Sequence, residues 1–132
     1  MESRLILDSS AVIAIVMDEP GADVLLAKIC AAPVRGMGTP TLLETLMVLA
    51  ARLRGDPSSF LLALLRQLEV SIIPFTEEHS SAAFSAFLHF GKGRHRAGLN
   101  FEDCAAYAVS SVAGEPLLFV GSDFAKTDII AA

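Results

Sequence analysis

The chain has 132 residues, of which 53% are hydrophobic and 19% charged, and ten Lys and Arg against fifteen Asp and Glu give a formal net charge of −5. This is the length of one ordinary domain, long enough to bury a core without staples and too apolar for a disordered chain. The acidic balance argues against a nucleic-acid partner, unless several acids gather around cations that cancel them locally.

The greasiest stretch, residues 42–51, contains Glu44 and Thr45 and is far short of the roughly 20 apolar residues of a membrane span. The N-terminus lacks a basic region leading into an apolar run, so a secretory signal is not expected. Cys30 and Cys104 have no metal-ligand spacing and sit among alanines and isoleucine. Both are expected to be buried free thiols, in a cytoplasmic protein.

Residues 4–8 read as a strand, because Leu5-Ile6-Leu7 is continuously apolar and suits a parallel strand buried on both faces. Residues 10–17 form a short helix stopped by Pro20, and residues 22–32 a second helix ended by Pro33. Residues 34–38 make a weak strand with two glycines. A long helix covers 41–54 and stops at Gly55. Asp56 then serves as N-cap and Pro57 as the first position of a helix to about residue 68. Residues 70–74 are a strand. Thr76, backed by Glu77 and Glu78, caps a helix that ends at Gly91. Residues 91–99 form a loop in which Lys92, Arg94, His95 and Arg96 cluster. Asn100 caps a helix to Ala113, stopped by Gly114, and residues 117–120 are the last clear strand. A short fifth strand at 128–130 is considered. Strands alternating with helices predict an α/β fold, a three-layer α/β/α sandwich of one domain with a mainly parallel sheet of four to five strands.

Four carboxylates stand out. Asp8 follows the first strand, and ligands of parallel sheets bind beyond the carboxyl ends of strands. It would equally serve as an N-cap. Glu44 lies on a helix that is apolar nearly all round, which predicts burial, and a buried carboxylate needs a partner. A metal ion would meet that need, as would an Arg or Lys from elsewhere in the fold. Asp103 opens its helix, where the dipole favours an acid, but Glu102 beside it could do the same. Asp123 follows the last strand on the same sheet edge as Asp8, as a ligand or a turn residue. Asp128 comes shortly after. Carboxylates gathered at one rim cannot all stay ionised without cations. An all-oxygen set selects hard ions such as Mg²⁺ or Mn²⁺, which activate water and stabilise charge on a phosphate.

Leu7-Asp8-Ser9-Ser10-Ala11, Pro40-Thr41-Leu42-Leu43-Glu44 and the segment from Leu99 through Asp103 to Ala108 together resemble PIN domains. The closing Pro116 to Phe124 with Thr127-Asp128-Ile129, and the Gly91-Lys92-Gly93-Arg94-His95 loop, are similar to the VapC-type branch. The likeness spans essentially the whole chain. It departs from the family pattern at Ser9, where Thr is frequent, and in ending soon after Asp128. The resemblance implies a PIN-like fold and the toxin of a type II toxin–antitoxin pair. Such a toxin is a homodimeric, Mg²⁺-dependent endoribonuclease inhibited by a VapB-type antitoxin. It places Asp8, Glu44, Asp103 and Asp123 in the catalytic cluster, with Asp8 and Asp103 holding the ion most directly. Ser10 takes a position with a hydroxyl close to the site. Ser10 and the loop residues Lys92, Arg94, His95 and Arg96 are candidate contacts to RNA, and an exposed solvated loop accounts for the basic residues equally well. Helices 22–32 and 56–68 are candidate antitoxin surfaces.

Other chemistries fit less well. A phosphatase with two aspartates after its first strand would need Asp at Ser10. No Gly-x-Ser-x-Gly or phosphate-cradling glycine loop occurs, and Cys104 sits in a helix of alanines. A receiver-like Mg²⁺-binding signalling module, with Lys126 as phosphate contact, would leave Glu44 without a task. A catalytically inactive dimerisation module is the third reading.

Overall fold

The computed structural model describes residues 3–132. Its elements are β1 (Arg4–Leu7), α1 (Ser9–Val16), α2 (Ala22–Ala31), β2 (Val34–Gly38), α3 (Thr39–Leu53), α4 (Ser58–Gln67), β3 (Val70–Ile73), α5 (Glu77–Phe90), α6 (Phe101–Ala113) and β4 (Leu117–Leu118), followed by a 3₁₀ turn at Phe124–Lys126. The four strands lie in the order β3-β2-β1-β4 and every pairing is parallel. The expected α/β architecture is therefore the observed one.

β1 is central and buried on both faces, as its continuous apolar run requires. Leu5 and Leu7 pack with Ile13, Ile29, Leu49, Leu61 and Leu65 on one side. Ile6 packs on the other with Ala86, Leu99, Tyr107 and Val109 of the α5–α6 side. Two helical layers thus sandwich the sheet. Each fully buried Leu or Ile here gains about 1.5–3 kcal/mol by leaving water. Among the described residues no helix is long and apolar enough to cross a membrane.

The glycines that make β2 look weak are what let it pack. A Cβ on Gly36 would lie 2.7 Å from Ile73 Cδ1, and one on Gly38 would lie 2.8 Å from Val109 Cγ2. α3 then begins at Thr39, directly after β2 and two residues earlier than expected, with Pro40 in its first turn. Without a loop between them, β2 fixes the direction of α3.

Four expectations need correction. The last strand stops at Leu118 rather than 120, because the chain beyond it swings toward the end of β1, where the Val120 N–H donates to Ser10 Oγ. Residues 128–130 form no strand; a single bridge joins Leu117 to Ala131. Cys30 is exposed, since the buried positions of α2 are Ala22 and Ile29, whereas Cys104 is buried as expected. α4 starts at Ser58, with Pro57 at the cap position and Asp56 accepting from the Ser58 N–H at 2.9 Å.

Because Gly38 joins the sheet to α3 and abuts α6, Gly38→Val should overpack this junction and cost about 1–3 kcal/mol of unfolding free energy. Urea denaturation measures this, and an unshifted midpoint would show that Val109 yields freely.

Candidate active site: a carboxylate cleft at the C-terminal edge of the sheet

Asp8 directly follows β1, and its backbone N–H donates to Leu118 O at 2.9 Å. It is also the N-cap of α1: its Oδ2 accepts from the Ser10 N–H at 3.1 Å and from the Ser10 hydroxyl at 2.6 Å. Capping uses only one carboxylate oxygen. Oδ1 has no partner, although Asp8 is only 4% exposed. Burial pushes its carboxyl up to about 6; Asp103 and Glu44 add to this and the Ser10 hydrogen bonds oppose it. The Ser10 hydroxyl also accepts from Val120 N–H at 2.9 Å. It therefore orients Asp8 and ties the segment leading to Asp123 against β1.

Glu44 is half-buried, not buried as its apolar helix suggested. The buried stripe of α3 is Thr41, Thr45 and Leu49, while Leu43 and Met47 are 58% and 64% exposed. Glu44 instead lines a cleft and accepts a hydrogen bond from the Ser9 hydroxyl through Oε1. Asp103, in the first turn of α6, exchanges hydrogen bonds with Asn100: its Oδ2 accepts from the Asn100 N–H at 3.0 Å, and Asn100 Oδ1 accepts from the Asp103 N–H at 2.8 Å. Its carboxyl is raised chiefly by burial, with Glu44 and Asp123 contributing against the Asn100 N–H.

All four expected acids line one cleft of about 410 Å³, with Ser9, Ser10 and residues 120–122 and 124. Asp123 is exposed at the start of the 3₁₀ turn. Asp128 is not in this cleft; it accepts from the Tyr107 hydroxyl beside a separate depression. Lys92, Arg94 and Arg96 are exposed on the 91–99 loop and do not line the cleft. The Arg94 guanidinium sits 5.3 Å from the centre of the Phe87 ring. His95 is structural, its Nδ1 accepting from the Ala97 N–H at 3.0 Å. Burial raises the Cys104 thiol, with Asp103 adding to it, which does not favour a thiolate.

Sequence reasoning missed Glu102 as a site residue. It is 8% exposed, its Oε1 accepts from the Thr41 hydroxyl at 2.7 Å, and its Oε2 has no partner. Burial, then the charges of Asp8 and Glu44, push its carboxyl up to about 9 against the Thr41 bond. The helical period gives no signal for it: every position from Cys104 to Ser110 is buried, so the spacing that suits Glu102 suits Phe101 equally, and Phe101 is exposed.

Among the described residues, no three His, Cys, Asp or Glu side chains are close enough to hold a metal ion as they stand. The donor chemistry nonetheless suits one: every ligand-type side chain in the cleft is a carboxylate, and Asp8 keeps a bare, buried oxygen there.

In ion-free protein, Asp8 has a folded pKa of about 6 above its ordinary 3.8. Its contribution to stability is therefore full below pH 3.8 and is lost as pH rises through about 6. Asp8→Asn should flatten this part of the pH dependence and leave the protein more stable at pH 7. Urea unfolding in chelator across pH 4–7 reads this; an unchanged slope would mean that Asp8 is not destabilised in the fold.

A family model described as PIN domain matches residues 5–130. Ribonuclease VapC of Mycolicibacterium smegmatis is 42% identical over 128 residues, covering 96% of this chain and 98% of that protein. The solved structure of Mycobacterium tuberculosis VapC20, described as a sarcin-ricin loop cleaving toxin, superposes with a TM-score of 0.76 at 18% identity, covering 97% of this chain and 98% of that one. A toxin–antitoxin complex from Klebsiella pneumoniae gives a TM-score of 0.72 at 15% identity over 97% of this chain and 96% of that one. With its parallel sheet and its acids on one edge, the chain belongs to the PIN-domain family, in the branch of the VapC-type ribonucleases.

Proposed function

We propose that this protein is a metal-dependent endoribonuclease that acts as the toxin of a type II toxin–antitoxin pair, in the cytoplasm, as a homodimer restrained by a VapB-type antitoxin. The carrying observation is that Asp8, Glu44, Asp103 and Asp123, distant in sequence, line one cleft. The ribonuclease relative at 42% identity supports the activity, and the antitoxin-bound neighbour supports the partner. Exposed Leu43, Met47, Phe60, Phe84 and Phe101 supply apolar surface for such partners.

Bound Mg²⁺ or Mn²⁺ would make water more acidic and neutralise charge at an RNA phosphodiester. The chain's own residues do the rest. Ser10 holds Asp8 by one oxygen and leaves the other free. Asn100 holds Asp103 in the first turn of α6, and Ser9 holds Glu44. Asp8 and Asp103 are the direct ligands, while Glu44 and Asp123 complete the cluster. Lys92, Arg94 and Arg96 bind phosphates farther along the strand. A receiver-like role finds less support, because Lys126 does not line the cleft.

Asp8→Asn and Asp103→Asn should each lower RNA cleavage by at least about a hundredfold while the protein stays folded. Cleavage that survives both changes, or that is indifferent to a chelator, would overturn the assignment. Replacing Lys92, Arg94 and Arg96 by Ala should weaken RNA binding and flatten its log–log salt dependence by roughly 0.7 for each phosphate no longer neutralised. An unchanged salt slope would return those residues to a merely solvated loop.

A further inference from the structure

We infer that Glu102 is a further cation ligand of this centre, its Oε2 and Asp8 Oδ1 together marking an inner cation position behind the cleft. This rests on the reading of the cleft as a divalent-cation site.

Asp8 Oδ1 and Glu102 Oε2 are, among the described residues, the buried side-chain oxygens left without a partner. Asp8 is 4% exposed and Glu102 8%, so water does not compensate either group. In both carboxylates a hydroxyl anchors the opposite oxygen. Ser10 donates to Asp8 Oδ2 at 2.6 Å, and Thr41 donates to Glu102 Oε1 at 2.7 Å. One oxygen fixed by a hydrogen bond and one left bare is how an oriented carboxylate ligand is held.

Helix capping does not account for Glu102. The exchange between Asn100 and Asp103 already serves the N-terminus of α6. Glu102 instead turns inward, between α6 and the first turn of α3, where it meets Thr41. No ion pair answers it either: the salt bridge found among the described residues is Arg52 with Glu19, far along α3. The charged groups beside Glu102 are two more carboxylates, Asp8 and Glu44, with the Glu44 carboxyl within hydrogen-bonding reach of it. Like charges brought this close to a buried, half-satisfied carboxylate call for a positive partner, and oxygen donors select a hard divalent ion.

A proton shared between Glu102 and its neighbours is the competing way to satisfy the bare oxygen, and Glu102→Gln separates the two. Gln keeps a carbonyl for Thr41 and offers an N–H in place of a shared proton, but it cannot supply an anionic ligand. Mn²⁺ alone, titrated calorimetrically into the full chain, should bind wild type and bind Glu102→Gln at least about tenfold more weakly, with Asp8→Asn also weakened. Affinity within about twofold of wild type in Glu102→Gln, with Asp8→Asn weakened, would overturn the role of Glu102 alone. No Mn²⁺ binding by wild type would overturn the cation reading of the whole cleft, and this inference with it. Should Glu102→Gln not fold, wild type labelled with ¹³C at its glutamate carboxyls gives the answer. Diamagnetic Mg²⁺ should shift the Glu102 carboxyl resonance as saturation is reached, and a resonance that does not move at saturation would overturn the proposal.

Discussion

The cleft depends on β1 pairing in parallel with β2 on one side and β4 on the other. That central position brings three chain segments to one edge. β1 is followed directly by Asp8, β2 runs without a loop into the helix that carries Glu44, and the chain after β4 delivers Asp123. α6 packs across the sheet and adds Asp103 at its N-terminus. Residues far apart in the sequence meet in one pocket because parallel strands all end on the same side.

That arrangement sets a physical conflict. Burial and like charge both raise Asp8, Glu102 and Asp103 above the usual carboxylate range. The fold does not relieve the conflict with basic side chains, since none lines the cleft. It holds the acids in place with hydroxyls and backbone amides instead: Ser9, Ser10 and Thr41, and the N–H groups of Ser10 and Asn100. These donors orient carboxylate oxygens without supplying positive charge, so the raised carboxyls take up protons more readily than ordinary ones. Stability has been spent on a pre-formed negative site, as functional centres commonly require.

Much of this was legible in the sequence, and the misses have identifiable causes. Asp8 and Asp123 could be read because a strand's end is visible from composition and its rim position follows from parallel pairing. For Asp8 and Asp103 a role at the helix start and a place in the cleft coexist, because each spends one carboxylate oxygen on the helix start, and Asp123 makes no side-chain cap bond at all. Glu44 was selected for burial, yet the helix turns other residues inward. Apolar composition gives no direction when both faces of a helix are greasy, and exposed Leu43 and Met47 are the result. Glu102 was passed over because a charged pair at a helix start suggests solvent and dipole. Spacing offered no better guide, because α6 is buried at every position from Cys104 to Ser110. The extra strand at 128–130 failed for a different reason. Pairing there depends on a partner's position, and only one bridge to Leu117 is made.

The acidic balance that first spoke against a nucleic-acid partner takes on another meaning once the acids are placed. Of the fifteen acidic residues, Asp8, Glu44, Glu102, Asp103 and Asp123 lie in or behind the cleft, and the ten that remain equal the ten Lys and Arg in number. The formal excess of −5 therefore equals the charge the centre would carry fully ionised, not a general property of the surface. Cations or protons held there leave the rest of the molecule near neutrality. A polyanion would then meet a balanced surface with exposed Lys92, Arg94 and Arg96 on a single loop. Net charge alone could not separate an acidic surface from acids concentrated in one cleft; the position of the acids does.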